Sequence, residues 1–470
     1  MKILFINPPT KNILTSNIPD VIEGSGGVIP PLGILYLAGF LKKDGRHEIK
    51  VLDLQLFEKT ENEIKKYLLD YQPNVIGMTA ITFTMIDVAI LVKLIKEILP
   101  ATKIVLGGPH ANIYPEETLA MGGVDFVVLG EGEEIFAGLI NNLDHPEKIK
   151  TIKGLVFSDR RQIIKTGQQE LIQNLDALPH PARELTDYKK YYSTLSLKNP
   201  TTSMFTSRGC PYRCIFCDRP HLGKVFRARS AKNVVAEIET ITQMGIKEIF
   251  IYDDTFTIDR QRVVDICQGI LNRGLQIAWD IRARVNTVDG ELLQLMKQAG
   301  CSRIHYGVEA GTNEILNNLR KGITVEMVKK AFKLTRRTGI ETAAYFMIGN
   351  PGEKLADIKQ SIKLAKELKP DYVHFSVLTP FPATELYFVG LQKGLIKTDV
   401  WAEFAKNPNQ NFIPPVWEEN FTRAELIKML KDAYRQFYLR PSYILNRLFK
   451  LRSWNDFLRK AKVGLKMFRV

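Results

Sequence analysis

The chain has few cysteines and no long apolar run, and both absences limit what it can be. Only five cysteines occur in 470 residues and none precedes Cys210, which excludes a disulfide framework and favours a reducing compartment. The most apolar long window, 75–92, contains Asp87 and follows Pro73, so it lacks the roughly 18 uninterrupted apolar residues of a membrane-spanning helix. The apolar stretch at the start, in MKILFINPP, is too short for a signal peptide. We expect a cytoplasmic protein.

Short β-rich runs alternate with helix-length segments along most of the chain, which predicts an α/β fold. Residues 1–150 contain KILFIN, IKVLDL, VIGMTA, KIVLGG and FVVLG, which predict a doubly wound, Rossmann-like domain with a parallel sheet. Residues 151–200 predict a linker that begins with a hairpin over 154–165. Six further βα units over 201–390 predict a partial, TIM-like (βα)6 barrel, and 391–470 form a basic helical region.

The positive charge is concentrated near the end of the sequence. Residues 421–470 hold 13 lysines and arginines against three acidic residues, in a chain of net charge +14. A helix there places apolar residues near one face and basic residues around the others: Ile444, Leu448, Leu451, Phe457 and Leu458, against Arg447, Lys450, Arg452, Arg459 and Lys460. Such a helix suits peripheral contact with the inner membrane face and a lipid or hydrophobic substrate, or docking on the barrel. No recognisable nucleic-acid-binding module accompanies the charge, so nucleic acid is not an expected partner.

The most informative motif is SRGCPYRCIFCDRP, which places Cys210, Cys214 and Cys217 on one loop after a predicted strand. Thiolates this close can all reach one metal centre, whereas a disulfide would use two and leave the third reactive. An iron-sulfur cluster and structural zinc both accept cysteine ligands, and His221 could complete a zinc set. The cluster is favoured because the loop opens a large βα region with a core of its own, unlike the small modules that fold around zinc.

The CxxxCxxC spacing, with Phe216 before its last cysteine, resembles the signature of the radical SAM enzymes. In that superfamily the three cysteines hold a 4Fe-4S cluster, and its fourth iron binds S-adenosylmethionine (SAM). One electron from a reductant such as ferredoxin or flavodoxin cleaves SAM to a 5′-deoxyadenosyl radical, which takes a hydrogen atom from the substrate. The resemblance implies that Cys210, Cys214 and Cys217 are the metal ligands and the catalytic centre, with Phe216 beside the cofactor.

Other residues at predicted strand ends match the SAM site of the superfamily. The resemblance assigns cofactor-binding roles to Asp253, Asp254, Arg284 and Glu309, with Arg282 as a neighbour of Arg284. From the residues alone, one aspartate could instead cap a helix near Asp259, and an arginine and the glutamate could form an ion pair. The turn 349–353, GNPGE, resembles the GxPGE segment near the adenine. Four rings are candidates for the substrate pocket or for ordinary core: Tyr306, Phe346, His374 and Phe381.

A doubly wound domain ahead of this barrel, with LFINPP, PPLGILYLAGFL, GGPHA and GEGEEIF, resembles the cobalamin-dependent radical SAM enzymes over roughly residues 1–390. The resemblance implies that cobalamin lies at the strand ends of the first domain, near Asn7, Thr79, Gly107, Gly108, His110 and Glu131. The DxHxxG element that supplies a cobalt ligand in some B12 domains is absent, so we expect His110 to line the site without ligating cobalt. The second cysteine cluster of the methylthiotransferases is also absent, so methylthiolation is not expected.

The resemblance implies hydrogen abstraction followed by methyl transfer from methylcobalamin to a substrate carbon. The alternative within enzymes is an anaerobic oxidative cyclase or another non-methylating rearrangement with the same cofactors. The alternative of another class is a non-catalytic corrinoid- or zinc-binding protein. No motif identifies the substrate.

Overall fold

Two large sheets, one mixed and one entirely parallel, dominate the computed structural model, which describes residues 1–14, 27–218 and 223–449. The strands are β1 Lys2–Asn7, β2 Gly27–Val28, β3 Glu48–Asp53, β4 Val75–Thr79, β5 Lys103–Gly107, β6 Phe126–Val128, β7 Leu155–Asp159, β8 Gln162–Lys165, β9 Tyr192–Ser193, β10 Thr201–Met204, β11 Ser207–Arg208, β12 Arg227–Ala228, β13 Glu248–Ile251, β14 Ala278–Ala283, β15 Cys301–Glu309, β16 Glu341–Ile348 and β17 Tyr372–Val377. The α-helices are α1 Leu32–Lys42, α2 Glu61–Tyr71, α3 Met85–Ile98, α4 Pro109–Ile113, α5 Pro115–Ala120, α6 Gly132–Asn141, α7 Pro146–Ile149, α8 Ala231–Gln243, α9 Arg260–Asn272, α10 Gly290–Gln298, α11 Asn313–Asn318, α12 Val325–Thr338, α13 Leu355–Leu368, α14 Glu385–Gln392, α15 Val400–Lys406, α16 Arg423–Tyr438 and α17 Pro441–Phe449. Short 3-10 turns lie at Thr82–Thr84, Leu175–Ala177, Arg183–Leu185 and Tyr188–Lys190.

The first sheet has the strand order β3-β1-β4-β5-β6-β7-β8. Its first five strands are parallel and largely apolar, and helices cover both faces, as predicted. The predicted hairpin exists as β7 and β8, but it belongs to this sheet and not to a linker, because β7 pairs antiparallel with β6. The chain crosses to β3 on one side of β1 and to β4 on the other, so a ligand crevice is expected at the carboxyl ends of β1 and β4.

The second sheet has the order β10-β13-β14-β15-β16-β17, all parallel, which confirms the predicted six-stranded partial barrel. Successive side chains along a strand face opposite sides. Tyr306 faces the helices, since its hydroxyl lies 2.9 Å from the Thr335 hydroxyl of α12. Phe346 also packs outward, in the core between the sheet and the helices. The two rings are therefore ordinary core, which is one of the two alternatives that the sequence left open for them.

Helix α16 protects the open edge of the partial barrel. The Tyr434 hydroxyl donates to the carbonyl oxygen of Phe375 (2.8 Å) and accepts from its N–H (3.1 Å). The Tyr438 hydroxyl does the same for Val373, at 2.7 and 3.1 Å. Two hydroxyls thus replace a missing seventh strand, which prevents the edge from pairing with another chain.

Replacing Tyr434 by phenylalanine should destabilise the fold measurably. The change leaves a buried N–H and a buried C=O of Phe375 unpaired, and each unpaired group costs about 1–3 kcal/mol. We expect the free energy of unfolding in urea to fall by about 2 kcal/mol. Tyr192→Phe, whose ring is half exposed, is the control and should change it little. Equal stability of Tyr434→Phe and the wild type would contradict the edge-capping role.

The C-terminal region packs on both sheets. Helix α15 lies against the first domain, where the Phe404 ring is 6.4 Å from that of His110. In α17, Arg447 pairs with Asp371 at 3.3 Å and lies over the Tyr372 ring, whereas Ile444 is exposed. For these two residues the alternative in which the apolar stripe docks on the barrel is wrong, because the arginine and not the isoleucine contacts it. The rest of the predicted stripe, apart from Leu448 at the end of α17, lies outside the described residues: Lys450, Leu451, Arg452, Phe457, Leu458, Arg459 and Lys460. No helix in the described ranges has the length and apolar character to cross a bilayer.

Candidate functional site

Asp253 holds the start of the cysteine loop. Its carboxylate is fully buried and accepts hydrogen bonds from the backbone N–H and the hydroxyl of both Thr206 and Ser207. With both oxygens occupied in this way, Asp253 is not placed to bind a SAM amino group, and we correct that assignment. The capping alternative is also wrong, because Asp259 itself caps α9 by accepting from the Arg262 N–H at 3.0 Å. Asp254 is exposed at the same strand end.

The three predicted metal ligands lie on the loop that follows. Cys214 is buried, Cys210 is partly buried and Cys217 is exposed. Burial raises the pKa of Cys210, and the charges of Asp254 and Cys214 add to the effect, so the thiols are near one another and near that carboxylate. Within the described part of the chain no three Cys, His, Asp or Glu side chains converge as ligands of one metal ion do. Three thiols on one loop fit a cluster that is held by three cysteines, and His221, the fourth ligand considered for zinc, lies outside the described residues.

Arg284 lies beside this loop, but its guanidinium group is already engaged by other groups of the protein. Its Nη1 is 3.7 Å from Cys214 Sγ, its Nη2 donates to the Lys321 carbonyl, and its guanidinium covers the Tyr212 ring at 3.7 Å. These contacts fix a positive charge next to Cys214, where it would offset the charge of a thiolate. A two-pronged grip on the SAM carboxylate would require them to break, so we correct that expectation too.

Glu309 ends β15 in a strained conformation. Its φ of 70° lies in the left-handed region, which is uncommon for a residue other than glycine and is often found at functional sites. Its Oε1 accepts from Lys321 Nζ at 2.6 Å, and both side chains are about nine-tenths buried. The ion pair that the sequence suggested with an arginine is thus formed with Lys321. Sequence reasoning missed Lys321, whose Nζ also lies 5.8 Å from the Phe216 ring.

The GNPGE turn is stabilised by its own glutamate. Glu353 Oε2 accepts from the N–H groups of Gly349 (2.7 Å) and Asn350 (2.9 Å). Burial raises the pKa of Glu353 to about 7. The Glu353 side chain is almost wholly buried. Its two hydrogen bonds to backbone N–H groups show that it stabilises the turn.

Glu353 should make stability depend on pH. Because burial raises its pKa to about 7 from an ordinary 4.5, the folded state keeps a proton that the unfolded chain has lost, and stability falls as pH rises across that window. Glu353→Gln stays neutral, so urea unfolding at pH 5, 6 and 8 should show a smaller decrease. The exposed Glu58→Gln is the control. An unchanged pH slope in Glu353→Gln would contradict the assignment.

The carboxyl ends of the first sheet offer a close-fitting edge for a flat ligand. Asn7 ends β1, is buried and donates to Asp53 at 2.8 Å. A Cβ on Gly108 would stand 2.8 Å from the Thr79 hydroxyl and 2.9 Å from the Ala80 carbonyl oxygen, at a φ of 99°, so only glycine fits there. Thr79 and Gly107 are partly exposed at this edge. These small residues at the predicted crevice fit a corrin that approaches the backbone.

His110 is more deeply buried than the sequence suggested. Its Nδ1 lies 3.1 Å from the Thr82 hydroxyl, its ring packs on Tyr114 and Phe404, and it is fully shielded from solvent. Burial lowers its pKa to about 4. The imidazole is thus neutral and shielded from solvent, and its lining of the cobalamin site without ligating cobalt stays a prediction.

Glu131 is an ion-pair partner of the barrel domain. Its oxygens accept from Arg208 and Arg227, both at 2.7 Å, and Oε2 also accepts from the Ile172 N–H. Although burial opposes ionisation, these arginines hold the pKa of Glu131 below its usual range. Three hydrogen bonds already engage its carboxylate, and the contact with cobalamin stays a prediction. It brings the cofactor edge of the first sheet against the cysteine loop, since Arg208 is two residues before Cys210.

The inner face of the barrel carries polar residues that the motifs did not reveal. His305 lies between Tyr345, with Nδ1 2.8 Å from the hydroxyl, and Asp280, with Nε2 3.3 Å from Oδ2. His374 stands next to the Tyr345 ring, and burial lowers its pKa to about 4. Arg282 is exposed and stacks on Tyr252. Phe381, in contrast, packs between Phe83 and Trp401 and not on this face. Strand alternation from Tyr306 and Phe346 would have identified His305 and Tyr345.

Comparison with known proteins agrees with both halves of the chain. The model of the Radical SAM superfamily matches residues 204–365, and that of the B12 binding domain matches residues 18–140. The chain is 34% identical to an uncharacterized methyltransferase of Pyrococcus horikoshii, over 96% of this chain and 95% of that protein. It is 30% identical to the anaerobic magnesium-protoporphyrin IX monomethyl ester cyclase of Cereibacter sphaeroides, over 94% and 71% respectively.

Two solved structures share the fold. The cobalamin-dependent SAM radical enzyme OxsB, with aqua-cobalamin and SAM bound, matches with a TM-score of 0.73 at 20% identity and covers 100% of this chain and 70% of its own. The radical SAM methyltransferase TsrM of Kitasatospora setae, with cobalamin and a [4Fe-4S] cluster bound, matches with a TM-score of 0.68 at 20% identity, over 83% and 78%.

Proposed function

Because this chain belongs to the radical SAM enzymes that carry a B12-binding domain, we propose that it is a C-methyltransferase that uses a 4Fe-4S cluster, SAM and cobalamin. The observation that carries the proposal is the contact between Glu131 and Arg208. It sets the carboxyl ends of the first sheet, where the corrin is expected, against the loop of Cys210, Cys214 and Cys217. Two cofactor sites that face each other suit a reaction in which hydrogen abstraction and methyl transfer occur at one carbon.

The residues around the cysteine loop have separate roles in this reaction. When bound, the cluster and SAM supply a carbon radical that removes a hydrogen atom, and cobalamin supplies the methyl group. Cys210, Cys214 and Cys217 hold the cluster, and Arg284 offsets charge beside Cys214. In this proposal Asp254, which is exposed at the end of β13, meets the SAM amino group with a charge-assisted hydrogen bond.

We assign further roles to residues on the far side of the SAM site and at the corrin edge. Glu309, held by Lys321 next to Phe216, is placed to accept from the ribose hydroxyls. Asn7, Thr79, Gly107 and Gly108 line the corrin edge. An external reductant such as ferredoxin or flavodoxin donates the electron.

The barrel face indicates the kind of substrate. Asp280, Arg282, His305, Tyr345 and His374 give it hydrogen-bonding groups of both kinds, and Arg282 has no acidic group within salt-bridge distance among the described residues. A purely hydrocarbon substrate would desolvate the exposed Arg282 guanidinium without giving it an acidic partner, which costs free energy. We therefore favour a small polar substrate over the lipid that the sequence left open.

Labelled SAM tests the proposal. Anaerobically reconstituted enzyme with cobalamin, a reductant and SAM carrying a ¹³C-methyl group is incubated separately with polar and lipid extracts, and products are detected by mass spectrometry. We expect a labelled product and S-adenosylhomocysteine from the polar extract. Label in the lipid extract alone would contradict the substrate class.

The second candidate is oxidative cyclisation, favoured by the 30% identity to a cyclase. It predicts 5′-deoxyadenosine without methylated product or S-adenosylhomocysteine. The same incubation, assayed for all three compounds, separates the two reactions.

A further inference from the structure

The base of the cysteine loop is closed by a pair of arginines that need an acidic partner. Strands β11 and β12 flank the loop and pair antiparallel, and Arg208 stands directly opposite Arg227. Like charges in this position destabilise a strand pair. Both guanidiniums are almost completely buried and are neutralised from the other domain, by Glu131 and, for Arg208, also by Glu133 at 2.5 Å.

The glutamates belong to a turn that is tied to the expected corrin edge. Gly130, which precedes Glu131 in the sequence, donates its N–H to the Asn112 side-chain oxygen at 2.9 Å. Asn112 follows the Gly107–His110 segment, and its own N–H donates to the Gly108 carbonyl oxygen at 3.0 Å. Two hydrogen bonds thus join Gly108 to Asn112 and Asn112 to Gly130, the peptide bond joins Gly130 to Glu131, and an ion pair joins Glu131 to Arg208, two residues from Cys210.

From this geometry we propose that Glu131 couples the two cofactor sites, a role that rests on the proposed function and deepens it. Cobalamin at the Gly107–Gly108 edge orders the turn at Gly130 and Glu131. The ordered turn holds the Arg208–Arg227 pair together and fixes the cysteine loop in the form that binds SAM. Cobalamin and SAM then each increase the affinity of the protein for the other, since coupling between two binding sites is reciprocal.

Calorimetry on the reconstituted holoprotein measures this coupling. SAM is titrated into the oxidised cluster form with and without hydroxocobalamin, so that no turnover occurs. We expect cobalamin to tighten SAM binding at least about fivefold in the wild type, within the usual range of coupled sites. The ratio of SAM affinities with and without cobalamin is the coupling factor. Glu131→Gln, which keeps the shape of the side chain and removes its charge, should reduce this factor to near one.

Other variants keep the test independent of folding defects. Asn112→Ala removes a link without changing any charge and should also lower the factor. The double variant E131R/R208E exchanges the two charges, so that Arg227 can pair with the new acidic group at position 208 and Glu133 with the new basic group at position 131. It should recover part of the coupling. Asp125→Asn is the control, because it breaks ion pairs of 2.8 and 2.9 Å with Lys96 and Lys103 inside one domain and should leave the factor unchanged.

The outcomes separate this inference from the proposed function. If SAM and cobalamin both bind, but the factor is equal in the wild type and in Glu131→Gln, or is one in the wild type, the coupling role is wrong and the function stands. If iron analysis shows a cluster and neither SAM nor cobalamin binds, the proposed function itself fails.

Discussion

Anaerobic reconstitution of the triple variant C210A/C214A/C217A should yield a colourless protein without bound iron. The three thiols lie on a single loop, and the other two cysteines of the chain, Cys267 and Cys301, are buried elsewhere in the barrel core. We expect about four irons and four sulfides per chain in the wild type, and fewer than one of each in the variant, because cluster binding requires cysteine thiolates. Electron paramagnetic resonance of the reduced protein should lose the cluster signal entirely.

The variant C267A/C301A is the matched control. Both of these cysteines are fully buried in the barrel core, where free cysteine acts as a small hydrophobe. The control should keep its iron and its spectrum, with some loss of stability. Zinc in place of iron in the wild type, or four irons retained by the triple variant, would contradict the assignment of the loop.

Asp253→Asn should have the next largest effect, and it should act on the loop and not on SAM alone. The carboxylate accepts four hydrogen bonds from Thr206 and Ser207, and an amide would turn its NH₂ group toward donors. Breaking a buried charged network of this kind costs about 3–5 kcal/mol. We expect loss of most of the bound iron and a lower urea midpoint.

Asp254→Asn is the comparison that decides between the two aspartates. Asp254 is exposed near Cys210, so its variant should keep the cluster but bind SAM at least about tenfold more weakly, the value of one charge-assisted hydrogen bond. If Asp253→Asn keeps its iron and only weakens SAM binding, the loop-holding role is wrong and the original assignment returns.

The fold could be predicted from sequence because its signals are local. Apolar runs such as KILFIN and FVVLG form buried parallel strands where expected, and the six βα units form the partial barrel. The edge protection could not be predicted, because Tyr434 and Tyr438 lie about 60 residues from the strand that they cap. The hairpin was misplaced for a similar reason, since pairing with β6 is a long-range contact.

In the candidate site, too, local features could be predicted from the sequence and long-range contacts could not. The cysteine spacing is a property of one loop, so the sequence identifies it. Glu131 and Asp253 carry carboxylates at strand ends, where ligands bind, and sequence alone cannot show that Arg208 and Ser207 already occupy them. The burial of His110 depends on Phe404, which is almost 300 residues away in the sequence. Lys321 can be identified only from its contact with Glu309 in the folded protein.

Formation of 5′-deoxyadenosine tests the central claim most directly. Wild-type protein reconstituted with iron, sulfide and cobalamin is incubated anaerobically with SAM and a strong chemical reductant, and the nucleoside is quantified by mass spectrometry. We predict 5′-deoxyadenosine from the wild type and none from C210A/C214A/C217A. Wild-type protein that binds four irons and SAM but releases no 5′-deoxyadenosine would contradict the account.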